Sequence, residues 1–228
     1  MREFNVLKGY PQPSVPRFVG LKVRTIKNRI IAAYRDAGYY DSERNNGYGG
    51  FKYDGRWKLA VDNMCKEYGL TENSAVLNLG CEKGFVMHDF QEKFPKMKIL
   101  GADVSAYAVE NAMPSIKRHI TKLDSFAKLP YSDNEFDFVT AIGVIYTLTL
   151  YDAICCLKEI QRVGKGKSFI TLGSYRNEEE AKLFRNWTVL GSTVLHVDEW
   201  VEVMKHAGYT GDYAFSNAET LNLKWKDD

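Results

Sequence analysis

From residue 57 onward, stretches with helical apolar spacing alternate with short unbroken apolar blocks, the signature of a parallel sheet covered by helices on both faces. The spacing predicts helices over 57–68, 84–94, 105–112, 151–162, 177–186 and 197–207, the third stopped by Pro114. Strands are predicted over 75–80, 98–103, 116–120, 136–143 and 167–173. Two more, 213–215 and 221–225, have only the turn 216–219 between them. That is too short for a parallel crossover, so an antiparallel hairpin is expected at the edge of an otherwise parallel sheet.

The first 56 residues follow another pattern. Residues 1–35 carry eight basic side chains, Arg2, Lys8, Arg17, Lys22, Arg24, Lys27, Arg29 and Arg35, against one acid, Glu3. Val23, Ile26, Ile30, Ala33 and Ala37 recur between them at helical spacing, which predicts an amphipathic helix over 20–37. The simplest placement docks the apolar stripe and leaves the basic face in water. Contact with an anionic acceptor or peripheral contact with a membrane surface is the other reading. A Gly- and Tyr-rich loop over 38–57 is too aromatic for a linker. The expected division is therefore a basic helix and lid segment, 1–56, before a domain over 57–228.

Composition narrows the class without choosing a function. A chain of 228 residues, 45% hydrophobic, 26% charged and of net charge +2, suits one sizeable globular domain and argues against a surface that coats nucleic acid. Cys65, Cys81, Cys155 and Cys156 lack metal-ligand spacing, so neither a zinc site nor a disulfide framework is expected, and a reducing cytoplasm is the simplest compartment. Residues 1–16 lack a signal-peptide pattern, and no apolar run reaches the roughly 18 residues of a membrane span.

The candidate chemistry begins at Val76-Leu77-Asn78-Leu79-Gly80-Cys81-Glu82-Lys83-Gly84-Phe85, a strand entering a glycine turn that opens a helix. Gly80 and Gly84 allow a ligand to approach the backbone, although strands also end in glycine for packing alone. Asp103 ends the next strand, 23 positions after Gly80, where a carboxylate accepts both hydroxyl hydrogens of a ribose. Its lesser reading is a cap for the following helix, and the two roles can coexist. Leu123-Asp124-Ser125 through Leu129-Pro130 forms a polar turn before Phe136-Asp137-Phe138-Val139, where Asp124 is set to accept from an exocyclic amino group.

These four elements, in this order and spacing, resemble the class I S-adenosylmethionine-dependent methyltransferases over residues 57 to about 225. The resemblance implies a Rossmann-like seven-stranded, mostly parallel sheet and S-adenosylmethionine as cofactor, with no metal. It places Asn78, Gly80, Cys81 and Gly84 along the methionine part, Asp103 with Val104 at the ribose, Asp124 and Ser125 at the adenine, and Ile142 beside them. Arg56 would meet the cofactor carboxylate, and Asp137 reads as structural. Tyr48 and Tyr53 would form part of a lid, and Tyr175 with Arg176 would face an anionic acceptor. The entry G-Y-G-G-F-K-Y-D-G-R-W and the late A-G-Y-T-G-D-Y look like bacterial small-molecule methyltransferases associated with surface-polysaccharide genes.

Three departures from that family bear on function. Asn78 stands where an acid is usual and Glu82 where a small residue is usual; Glu82 is expected to point outward or toward the cofactor's ammonium or sulfonium. Tyr146 occupies the place of a histidine that serves many O-methyltransferases, and a phenol is a poor base at neutral pH. His196 is the remaining candidate base. The Asn/Asp-Pro-Pro-aromatic motif for planar amines is absent. The expected activity is methyl transfer to an oxygen, or less readily a nitrogen, of a small polar acceptor, anionic or carbohydrate in type. The alternative is an inactive cofactor-binding homologue that regulates or scaffolds a partner. A nicotinamide dehydrogenase fits worse, because the turn lacks G-x-G-x-x-G spacing. Nucleic-acid methylation would have to work through the basic helix.

Overall fold

Val76, Leu77, Asn78 and Leu79 are all buried, so the strand they form must lie inside the sheet with both faces covered. In the computed structural model, which describes residues 1–226, that strand is β3 (Ala75–Leu79). It pairs in parallel with β4 (Lys98–Asp103) on one side and β6 (Phe138–Ala141) on the other. The other strands are β1 (Arg2–Glu3), β2 (Arg17–Val19), β5 (Ile120–Lys122), β7 (Ser168–Tyr175), β8 (Leu195–His196), β9 (Asp212–Ser216) and β10 (Leu223–Trp225). The main sheet runs β1-β9-β7-β6-β3-β4-β5, with β8 against the end of β7. This is the expected Rossmann-like α/β fold.

The helices are α1 (Ile26–Ala33), α2 (Ala37–Tyr40), α3 (Lys58–Tyr68), α4 (Phe85–Lys93), α5 (Ala106–Glu110), α6 (Leu150–Val163), α7 (Glu178–Trp187) and α8 (Val197–Ala207). Alternation along β3 sends Val76 to one face, where Met64 of α3 and Phe90 of α4 pack with Phe138 and Phe169. Leu77 and Leu79 go to the other face, among Leu157 and Ile160 of α6 and Trp200 and Met204 of α8. The Trp200 indole N–H donates to the Gly173 carbonyl at 2.9 Å, so the largest side chain of that layer is buried with its polar atom satisfied. The strand order reverses between β3 and β6, and a crevice opens there at the carboxyl ends of the strands. Asp137 is structural, as expected: its carboxylate accepts from the Ala75 N–H at 2.8 Å and pairs with Lys165.

Three expectations are corrected. The antiparallel C-terminal hairpin does not form: β9 pairs in parallel with β7, and β10 pairs in parallel with β2 in a separate small sheet. Asn217 and Thr220 bond reciprocally to turn the chain away, and Leu223 packs with Val19, Leu183 and Ala218 instead of on the main sheet. The strand expected at 116–120 begins only at Ile120, because Ile116 is buried beneath the glycine turn. The helix expected over 20–37 is limited to α1, and its faces are reversed. Ile26 and Ile30 are 71% and 54% exposed, whereas Arg24 and Arg29 donate inward to the carbonyls of Trp187 and Arg185. The buried contact of α1 is the small Ala32.

The N-terminal segment is therefore fastened over the crevice. β1 extends the main sheet, and Asp41, just after α2, pairs with Lys83 of the glycine turn at 2.6 Å and accepts from the Tyr107 hydroxyl. No helix among the described residues is long and apolar enough to cross a membrane.

Candidate functional site

Left-handed backbone alternates along the turn after β3: Gly80 has φ +64°, Glu82 +52° and Gly84 +80°. A Cβ on Gly80 would stand 2.1 Å from Cγ2 of the buried Val144. Gly80→Ala is accordingly expected to cost about 2–3 kcal/mol from the left-handed backbone and overpacking together. Thermal melts would show this as a drop of roughly 5–10 °C, and an unchanged melting temperature would refute the packing described.

Asp103 ends β4 directly beside this turn and is 3% exposed. One carboxylate oxygen accepts from the Glu82 N–H and the other from the Ser105 N–H, each at 2.8 Å. Burial raises its pKa against the pull of those two N–H groups and of Arg35. The cap of α5 is Ser105, whose hydroxyl accepts from the Ala108 N–H. Asp103 is thus left to face the crevice.

The crevice holds two adjoining chambers. The larger, about 530 Å³, is walled by Tyr10, Phe51, Arg56, Trp57, Asn78 and Cys81, with Phe85 and Val86 behind them. The smaller, about 140 Å³, is walled by Arg24, Arg35, Tyr39, Asp103, Phe126 and Tyr146, and by the segment 187–190 after α7. Arg44, Tyr48, Gly80, Glu82, Ile142 and Gly143 line both. Glu82 therefore faces the partition rather than bulk water, and accepts from the Tyr48 hydroxyl at 2.6 Å. Burial pushes its carboxyl pKa up to about 8, with Asp103 adding to the rise, while Tyr48, Arg35 and Lys83 oppose it. Burial, and then Glu82, push the Tyr146 phenol up to about 12, so it stays protonated at neutral pH.

The structure brings together Asn78, Gly80, Cys81, Asp103, Ile142, Tyr48, Tyr146 and Arg56 along these chambers, Arg56 with its guanidinium paired to Asp54. It does not bring the other expected residues there. Gly84 begins α4 and packs on Ile116, and Val104 does not line either chamber. Asp124 is exposed and paired with Lys122 at 2.9 Å, in a separate shallow groove with Ser125; from that turn only Phe126 reaches the smaller chamber. Tyr53 donates to Asp89 at 2.5 Å and meets Phe85 and His88 edge to face. Tyr175, Arg176 and His196 cluster where β8 joins the far end of β7. Arg176 is held by Glu180 and Glu219, and the His196 ring caps α8, so neither faces the chambers. Arg24 and Arg35 belong to the basic run over 1–35, for which contact with an anionic acceptor is one of the sequence readings, whereas Arg44 and the segment 187–190 carry no sequence signal for the chamber.

A family model described as a methyltransferase domain matches residues 70–214. Over 120 residues the chain is 26% identical to an uncharacterized methyltransferase of Schizosaccharomyces pombe, covering 46% of this chain and 42% of that protein. Over 113 residues it is 34% identical to the tRNA U34 carboxymethyltransferase of Nautilia profundicola, covering 47% of this chain and 37% of that one. The chain thus spans less than half the length of either curated relative. Its fold is similar to a structure of the Haloferax volcanii Trm112 methyltransferase activator in complex with a methyltransferase, with a TM-score of 0.50, 22% identity and 67% of each chain covered.

Proposed function

The chain belongs to the methyltransferase domain family, of the class I S-adenosylmethionine-dependent type, and from that membership we propose methyl transfer to an oxygen of a small polar acceptor seated in the smaller chamber. The observation that carries this reading is the position of Asp103 on the wall of the smaller chamber, which the cofactor's ribose and the acceptor would therefore share. Each of its oxygens spends one lone pair on a backbone N–H, which leaves acceptor capacity for two ribose hydroxyls. The bare Gly80 wall, Asn78 and Cys81 fit the rest of S-adenosylmethionine, and Arg56 would meet its carboxylate only by sharing the guanidinium that now pairs with Asp54. When bound, that cofactor supplies a methyl group on a sulfonium, already activated for displacement.

The work left to the chain is alignment and exclusion of water. Tyr39, Tyr48, Tyr146 and Trp187 wall the smaller chamber with aromatic surface. Glu82, at the partition and with a pKa of about 8, holds its proton at neutral pH and becomes the group suited to receive a proton from the acceptor hydroxyl as the pH rises through that value. The small size of the chamber favours a small molecule, of polar, anionic or carbohydrate type, over a polynucleotide.

The same Glu82 motivates the competing reading, a homologue that binds the cofactor without turning it over. The test incubates the protein with S-adenosylmethionine and a panel of sugars, sugar phosphates and hydroxy acids, with bulk tRNA as contrast, and measures S-adenosylhomocysteine by mass spectrometry. Product that depends on a small hydroxyl acceptor is expected. Binding without product from any acceptor would favour the inactive homologue, and product with tRNA alone would overturn the small-acceptor reading.

A further inference from the structure

Two sets of arginines among the described residues contrast. Arg2, Arg56, Arg162 and Arg176 each meet a carboxylate. Among the described residues, Arg24, Arg35 and Arg44 meet only carbonyl and hydroxyl oxygens, although all three wall the smaller chamber. Arg24 donates to the carbonyls of Trp187 and Arg44, Arg35 to the Thr147 hydroxyl at 3.0 Å, and Arg44 to the Tyr48 carbonyl at 2.8 Å. Those bonds hold three guanidinium groups in place and leave most of their five N–H donors each unspent.

We propose that Arg24, Arg35 and Arg44 form an anion site in the smaller chamber that binds a phosphoryl group on the acceptor, so that the substrate class is a phosphorylated small molecule bearing a free hydroxyl. This deepens the reading of the chamber as the acceptor site and rests on it. Gathering like charges without a counterion is unfavourable, and the structure bears the mark of it. Burial first, and then Arg44, Arg17 and Arg29, lower the Arg24 pKa to about 10, with Tyr39 opposing. Arg17 adds a fourth guanidinium on the other contact of Trp187, with centroid distances of 5.9 Å for Arg17 and 5.6 Å for Arg24. Against these charges the chamber sets the Asp103 carboxylate, and Glu82, which is largely protonated at neutral pH. Arg17 does not line the chamber, so the three arginines that do, set against Asp103, leave a surplus of about two positive charges, which a phosphate monoester dianion neutralises and a single carboxylate does not. Arginine's planar fork suits such an oxyanion.

The same arginines serve the lid. Arg24 bonds both the Trp187 carbonyl at the end of α7 and the Arg44 carbonyl within the N-terminal segment, so an anion bound among these arginines joins the lid to the acceptor wall. Anion binding is therefore expected to stabilise the fold as well as to place the substrate.

The test follows the melting temperature of the full chain in rising inorganic phosphate, with acetate as a carboxylate probe and chloride at matched ionic strength, each with and without saturating S-adenosylhomocysteine. Saturable stabilisation by phosphate above acetate and chloride, retained with S-adenosylhomocysteine, is expected. Arg24→Gln should weaken phosphate binding at least about tenfold and Arg24→Lys less, with S-adenosylhomocysteine affinity preserved in both. Greater stabilisation by acetate would assign the site to a carboxylate and overturn the phosphoryl assignment. Competition between phosphate and S-adenosylhomocysteine would assign the arginines to the cofactor's own carboxylate. Absence of any anion effect in a chain that still binds S-adenosylhomocysteine would overturn this proposal alone, whereas failure to bind S-adenosylhomocysteine would overturn the reading beneath it.

Discussion

Asp103→Ala is expected to weaken S-adenosylhomocysteine binding at least about 100-fold, from the loss of two hydrogen bonds to a charged group at roughly 1.5–3 kcal/mol each. The substitution also strands the N–H groups of Glu82 and Ser105, so it should lower stability by about 1–3 kcal/mol. Asp103→Asn separates the two effects, because an amide oxygen still accepts one of those bonds while the charge is gone. A folded Asn variant that binds at least about tenfold more weakly, measured by calorimetry, fits the account. Unchanged affinity in that variant would remove Asp103 from the ribose role.

Glu82→Gln is expected to change how stability depends on pH. The ordinary value for a glutamic acid is 4.5, and burial holds Glu82 at about 8 in the folded chain. Between those values the folded state keeps a proton that the unfolded state has released. Raising the pH through this window therefore costs stability, and the loss is complete above the folded value. It amounts to on the order of a few kcal/mol, or roughly 5–10 °C in melting temperature. Glutamine does not titrate, so melts from about pH 5 to about pH 9 should decline in the wild type relative to the variant. Parallel curves would mean that Glu82 has the same pKa in the folded and unfolded chain, and would remove the raised basicity on which its role as proton acceptor rests.

The residues that the sequence made legible are those whose roles depend on local chain direction. A buried strand, a glycine turn and an acid at the end of the next strand place Gly80, Glu82 and Asp103 together wherever a parallel sheet forms. Tyr146 follows from the same logic, since it lies just beyond β6. Side-chain direction in turns is not encoded this way. The turn after β5 sends Phe126 inward and Asp124 to Lys122 in solvent, and nothing in the order of those residues distinguishes the two outcomes.

The wall of the smaller chamber was illegible for a different reason. Its arginines come from residues 24–44 and its other side from residues 187–190, a pairing made only by tertiary docking. Apolar periodicity pointed the wrong way along α1, because the helix is anchored by arginine-to-carbonyl bonds and the small Ala32 rather than by Ile26 and Ile30. β10 likewise found a partner in β2, some 200 residues away in sequence. Short range reasoning could see only its neighbour β9.

A calorimetric titration of the full chain with S-adenosylhomocysteine at neutral pH tests the central claim most directly. The account expects one saturable site per chain, with a dissociation constant of about 1–100 μM, corresponding to roughly −8 to −5.5 kcal/mol. No heat of binding, together with no change in melting temperature at millimolar ligand, would contradict it.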